Sequence, residues 1–374
     1  MENTKEFKNL LDLLGSINKE NVVLGLQVAQ NYNQEFLAYF GCEVREMADL
    51  VDILTENNIW QDETPLLETK LLYLNKMNLQ QIPRIVFILG KLEVLCLIGN
   101  QLKSMPREIE QLKNLKTLDL WNNLFQTIPA EITELEHLED LCLMANQIQS
   151  VPPEIGNLKN LKELYLGYNP LEHISIEIKK LENLKLLHLS HSKLQNIPKE
   201  IFELKNLKEL HLGNNQLQEI TTEIERLENL KNLYLENNQI KNFPIEITEL
   251  KNLTALDLTN NQLQNLPKEI GKLKALTTLN LSDNQLTTIP KEIENLTKLS
   301  TLNMTNNQLG SIPKEICGLM NLNYLYLGNN QLQSIPKEVV NLINLKKIDI
   351  SNNKIPANEI ENIKKMLPRC EIIA

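Results

Sequence analysis

The sequence predicts an α/β repeat solenoid built around one parallel sheet, and three observations carry that reading. Residues 69–353 repeat every 23 residues without insertion or deletion, in thirteen units that start at 69, 92, 115, 138, 161, 184, 207, 230, 253, 276, 299, 322 and 345. Inside each unit, apolar residues at positions 4 and 6 alternate with the period of a strand. Later in each unit, a proline-led segment spaces its apolar residues like a helical turn. A fixed period of this length stacks one small unit on the next, so the chain offers an extended surface rather than a pocket.

Residues 1–68 fall outside the repeat. Helices are predicted over 5–14, 20–31, 34–40 and 43–56. Phe7, Leu10, Leu11 and Leu14 recur at helical spacing, as do Val44, Met47, Leu50, Val51 and Leu54. Asn18 and Asn33 stand where N-caps belong. A solenoid has raw apolar ends that must be covered, so this region is expected to be an N-terminal cap. A separate recognition module is the alternative, because one cap needs fewer residues.

The unit over residues 253–275 reads LTALDLTNNQLQNLPKEIGKLKA, an example of the pattern LxxLxLxxNxLxx(I/L)PxEIxxLxx. Positions 1, 4, 6 and 11, here Leu253, Leu256, Leu258 and Leu263, are predicted to be core. Positions 3, 5 and 7 must then face the other way. Position 9 is Asn in eleven of thirteen units, with Met77 and Ser192 as exceptions. A buried Asn costs energy unless bonded, and stacking lets each amide bond its neighbour's backbone. Pro at position 15 suits the first residue of a helical turn, where no N–H is needed. Glu at 17 lies near the positive end of that turn. Ile at 18 and Leu at 21 point inward. Ser175 and Thr221 replace the proline in two units.

These residues resemble the leucine-rich repeat family, specifically its bacterial 23-residue LPxEIxxLxxL class, over about three quarters of the chain. The resemblance implies a right-handed horseshoe with a parallel β-sheet on its concave face. It also implies that positions 2, 3, 5, 7 and 8 face solvent there.

At the other end Pro356 stops the last unit. A helix is predicted over 357–367, and residues 368–373 can add a closing strand. The domain reading is therefore 1–68 helical N-terminal cap, 69–356 repeats with the last one truncated, and 357–374 C-terminal cap. This end reads as a native cap with nothing removed. Some bacterial effectors of the family carry an appended ubiquitin-ligase domain with a Cys nucleophile, and the 18 residues after 356 are too few for one.

A net charge of −10 and a pI near 5.3 argue against nucleic acid and anionic membranes as main partners. No stretch reaches the length of apolar residues that spans a bilayer. The N-terminus has acidic residues early and a short apolar run, unlike a secretory signal, so cytoplasmic residence is expected. The five cysteines, Cys42, Cys96, Cys142, Cys317 and Cys370, are odd in number and widely spaced, which predicts reduced thiols. The abundance of Asn, Lys and Ile fits an AT-rich bacterial genome.

Reading columns across units exposes an uneven face. Position 7 presents Ile98, Trp121 and Met144 in consecutive units, with Cys96 and Cys142 beside them at position 5. Strands about 4.8 Å apart would put these three side chains in contact. Tyr165, Tyr168, His188, His211 and Tyr234 follow. Thr254, Thr259, Thr277, Ser282, Thr301 and Thr305 then give a plain polar stretch. Contiguous exposed apolar and aromatic residues usually mark an interface. Ile98, Trp121, Met144, Tyr165, Tyr168, His188, His211 and Tyr234 are therefore the candidate protein-binding residues. The competing reading is drift in the face's composition.

His188 and His211 share a column in adjacent units and could share a metal, but no Cys sits among them, and Glu209 is the nearest carboxylate in register. No HExxH, GxSxG, Walker A or helix-opening GxGxxG occurs. Catalytic, cofactor-binding and metal residues are therefore expected to be none. The expected function is a non-catalytic scaffold or regulator that binds a partner protein on the concave face, with a monomer as the default state. A secreted or translocated effector binding a host protein is the first alternative. An enzyme or metal-dependent switch on the His188/His211 strip is the second.

Overall fold

The computed structural model describes residues 19–29, residue 51 and residues 68–374. The chain divides into two compact units, Met1–Asn169 and Pro170–Ala374. Of the predicted N-terminal helices, Lys19–Ala29 is present, with Val22, Leu26 and Ala29 buried. Val51, within the predicted 43–56 helix, is helical and buried. The predicted helices at 5–14 and 34–40 and the caps Asn18 and Asn33 lie outside the described residues, as does Cys42.

Each repeat contributes one three-residue parallel strand at positions 3 to 5. In the first unit these are Leu71–Tyr73, Val94–Cys96, Thr117–Asp119, Asp140–Cys142 and Glu163–Tyr165. In the second unit they run from Leu186–His188 to Lys347–Asp349, and Glu371–Ile373 closes the sheet beside the last repeat. Within each unit, neighbouring repeats pair in strict register: Leu72 faces Leu95, and Leu256 faces Leu279. Equal repeat positions therefore stack into straight rows. The fold is a repeat solenoid with parallel strands, as the period predicts.

The strand alternation is borne out. Leu256 and Leu258 are buried and Asp257 between them is half-exposed. The core is made of the apolar rows, for example Leu253, Leu256, Leu258, Leu263, Ile270 and Leu273, each excluded from water.

After each strand the backbone turns through a left-handed residue at position 8. Asn122, Asn237 and Asn260 have φ of 56°, 55° and 50°, and Tyr168 and His191 adopt φ of 57° and 56°. Asn tolerates this conformation better than other side chains, which accounts for its frequency at position 8. Position 9 then turns inward. Asn238 Nδ2 donates to Leu212 O (3.0 Å) and Leu235 O (3.1 Å), while its Oδ1 accepts from Leu217 N–H (3.0 Å). The same set recurs at Asn261 and Asn284. The row is a ladder of satisfied amides, each joining its own repeat to the one before.

The closing segments are mostly 3-10 turns, such as Lys291–Asn295. Here the structure corrects the sequence reading of proline. Pro290 is the N-cap, with φ −68° and ψ 145°, rather than the first helical residue. Its carbonyl accepts from Ile293 N–H at 3.1 Å, so what the turn uses is its oxygen and its fixed φ. Where Ser175 replaces proline, its hydroxyl accepts from Glu177 N–H at 3.2 Å. The C-terminal helix is Ala357–Met366, and Ile363 and Leu367 turn inward.

Candidate protein-binding face

In the first unit, backbone bonds run from row to row across the open sheet face. Gly99 N–H donates to Trp121 O (2.8 Å) and Asn122 N–H to Met144 O (2.9 Å). Ile98, Trp121 and Met144 therefore occupy adjacent rungs, as predicted. They are not equally presented: Trp121 is 48% exposed, while Ile98 and Met144 are half-buried. Tyr168 is 50% exposed on its left-handed residue, and Tyr165 is half-buried with its hydroxyl donating to Glu163 Oε2 at 2.6 Å. Burial, then Glu163, pushes the Tyr165 hydroxyl pKa up.

The Trp121 backbone is itself held. Asp119 Oδ1 accepts from Trp121 N–H at 2.9 Å. The same bond from position 7 to position 5 recurs at Thr259–Asp257 (2.8 Å), Thr305–Asn303 (3.0 Å) and Ser351–Asp349 (2.9 Å). An Asp or Asn two residues before a free N–H is the sequence signal for this bond.

Cys96 and Cys142 flank Asp119 in the position-5 row. Burial pushes the Cys96 thiol up to about 11 and the Cys142 thiol up to about 12, so both stay protonated at neutral pH. Cys96, Cys142, Cys317 and Cys370 form no disulfide.

In the second unit, His188, His211 and Tyr234 form one continuous stack. Ring centroids are 4.7 Å and 4.4 Å apart, with interplanar angles of 18° and 17°. The sequence put the two imidazoles in one column, and the structure extends the column to the tyrosine. His211 Nε2 lies 2.7 Å from Glu209 Oε1. Burial, then His211, lowers the His188 pKa to about 4. Stacked faces leave no common point for the ring nitrogens. Among the described residues, no group of three or more His, Cys, Asp or Glu side chains converges as a metal site would require.

A cavity of about 650 Å³ lies elsewhere in the second unit, along the loops at positions 10 to 15. It is lined by Glu172, His173, Lys193, Gln195, Asn196 and Gln216, among others, and includes no predicted site residue. Among the described residues, no helix is long and apolar enough to cross a membrane.

The leucine-rich repeat region family matches residues 71–172 and 214–307. Further leucine rich repeat matches cover 182–240, 298–319 and 321–342. No curated protein sequence matches the chain. Among solved structures, a Leptospira interrogans LRR protein is 42% identical, with a TM-score of 0.78 over 79% of this chain and 76% of that one. An internalin (inlF) from Listeria monocytogenes is 25% identical, with a TM-score of 0.75 over 87% and 94%. The LRR ectodomain of the Arabidopsis thaliana receptor kinase GASSHO1/SCHENGEN3, in complex with Casparian Strip Integrity Factor 2, is 27% identical. Its TM-score is 0.53 over 83% of this chain, which spans 44% of that one. The uninterrupted repeat, the ladder of asparagines and these matches together establish that the chain belongs to the leucine-rich repeat proteins, in their bacterial form.

Proposed function

We propose that this chain is a non-catalytic scaffold or regulator whose open sheet face binds a partner protein, with Trp121 as the principal anchor in the first unit. The observation that carries this is the presentation of Trp121. A large aromatic side chain stands 48% exposed on a backbone fixed by Asp119, beside half-buried Ile98 and Met144. A rigid aromatic on such a base adds contact area at low entropic cost, the profile of an interface hot spot. Tyr165 and Tyr168 extend that surface within the first unit. His188, His211 and Tyr234 give the second unit its own candidate surface. The receptor ectodomain above, bound to its factor, supports protein recognition as the use of this fold.

The same proposal assigns residues 1–68 and 357–374 to capping the repeats and places the chain in the cytoplasm. Cell fractionation of the native organism tests the location and separates this reading from that of a translocated effector. Crosslinking pull-down with wild type, Trp121→Ala and Thr259→Ala tests the face. Loss of the partner with Trp121→Ala and retention with Thr259→Ala is the expected result. The reverse order would move the binding site off the first unit's face.

A further inference from the structure

The repeats starting at 184, 207 and 230 bring three features together on one face. Position 2 carries Lys185, Lys208 and Lys231, all exposed. Lys208 N–H donates to Lys185 O and Lys231 N–H to Lys208 O, both at 2.8 Å, so the three occupy successive rungs. Among the described residues none of the three makes an ion pair, since Glu209 engages His211 and Asn232 instead. The same row in the first unit is neutralised: Glu93 lies between Lys70 (3.1 Å) and Lys116 (2.7 Å), and Glu139 meets Lys162 (2.6 Å). Beyond residue 231 the row becomes Thr254, Thr277, Ser300 and Asn323, and the last repeat returns to a single lysine, Lys346. A run of three uncompensated ammonium groups thus stands out in a chain of net charge −10.

The position-7 row of these repeats is Ser190, Gly213 and Glu236. A Cβ at Gly213 would collide with Glu236 Oε1, so the missing side chain is the space into which the glutamate folds. Glu236 Oε2 and Ser190 Oγ are both buried without a hydrogen-bond partner, and Ser190 is 4% exposed. A buried carboxylate oxygen and hydroxyl left unpaired are costly unless a ligand supplies the missing partner. Between the two rows runs the His188–His211–Tyr234 stack, a flat bed of ring edges.

We infer that these three repeats bind an extended peptide segment of a partner protein that is acidic at one end and basic at the other. Its carboxylates meet Lys185, Lys208 and Lys231, its backbone crosses the ring stack, and its cationic side chain meets Glu236. Lys231 and Glu236 are five residues apart, about 16 Å of extended chain. An extended peptide lying along the strand spans a similar distance with charged residues about four or six apart, the even spacings that keep both side chains facing the sheet. The acidic pole excludes a polyphosphate strand as the better fit, because Glu236 repels phosphate. This inference rests on the open sheet face being a binding face, but it uses none of the residues around Trp121.

The test is selection of a phage-displayed random peptide library on the full chain, followed by fluorescence anisotropy with the enriched peptides. Enriched sequences should pair Asp or Glu with Lys or Arg about four or six residues away, since only an even spacing keeps both side chains on the face that meets the sheet. Their affinity should fall roughly tenfold or more with Lys208→Glu, and with Glu236→Gln to a smaller extent. Peptides with the acidic residue replaced by Lys should regain binding to Lys208→Glu. Trp121→Ala should leave these affinities unchanged, which separates this site from the first unit's face. The inference is overturned if nothing is enriched, if enriched peptides lack acidic residues or ignore the lysine variants, or if an oligothymidylate probe binds as tightly as the best peptide.

Discussion

Asp119 fixes the rung that displays Trp121: its Oδ1 accepts the Trp121 N–H at 2.9 Å, two residues along the same repeat. A hot spot is worth most when its backbone does not have to be ordered on binding, and this bond does that ordering in advance. Trp121→Ala should weaken partner binding at least about 30-fold, the equivalent of about 2 kcal/mol, with little change in melting temperature. Asp119→Ala should cost about 1 kcal/mol of stability through the lost acceptor. Asp119→Asn should restore it, since Asn303 accepts from Thr305 N–H in the same way. Urea titration of the three variants checks this, and an equal loss with Asn and Ala would discard the positioning role.

The asparagine ladder gives a paired prediction. Asn238→Leu removes the amide that bonds Leu212 O, Leu235 O and Leu217 N–H, and should destabilise by about 1–3 kcal/mol. Ser192 is the natural gap in the second unit, where its buried Oγ has no hydrogen-bond partner. By the ladder's register, an Asn at 192 would accept from Leu171 N–H and donate to Leu189 O. Ser192→Asn should therefore stabilise by about 1 kcal/mol. Opposite shifts in the two urea midpoints are expected, and a melting curve unchanged by Asn238→Leu would show that the row is not a working ladder.

The thiols should be inert. With burial raising Cys96 to about 11 and Cys142 to about 12, the thiolate fraction at neutral pH is negligible. Non-reducing intact mass should equal that of the reduced chain. Iodoacetamide should label these two residues slowly until the pH approaches 11. Rapid labelling at neutral pH would mean that the position-5 row is more open than its burial shows.

His188 should make the fold acid-sensitive. Its folded pKa is near 4 against an ordinary value of 6.5, because burial and then His211 and His191 disfavour the imidazolium, with Glu209 opposing them. A base whose folded pKa is depressed contributes stability that is complete above 6.5 and is lost as the pH falls toward 4. His188→Gln should flatten the pH dependence of the urea midpoint across that window. An NMR titration placing the His188 transition near its ordinary value would remove the effect.

Much of this was readable from the residues alone. The alternation at Leu256, Asp257 and Leu258 defined which face is core, because a strand has only two sides and the apolar residues choose between them. The Asn row was readable because a polar residue kept at one position among leucines needs bonded partners there. Other features needed coordinates. Proline's fixed φ suits the cap and the first helical residue alike, so the residue type does not decide between them, and Pro290 is the cap. The stack from His188 to Tyr234 depends on rotamers that spacing does not determine. The lysine row was in plain sight, but its significance lies in the ion pairs that Lys185, Lys208 and Lys231 do not make, and those depend on where Glu209 points.

The strict register also means that the molecule can change length without changing design. Each asparagine reaches back by fixed intervals of 21 and 26 residues, as Asn284 does to Leu263 and Leu258. Excising residues 276–298 would bring Ala255–Asp257 beside Thr301–Asn303 with every amide still facing an equivalent backbone group. Whole repeats are thus interchangeable parts for recombination, and a gene of this kind can gain or shed a rung of binding surface in one crossover while the core never meets an unfamiliar neighbour.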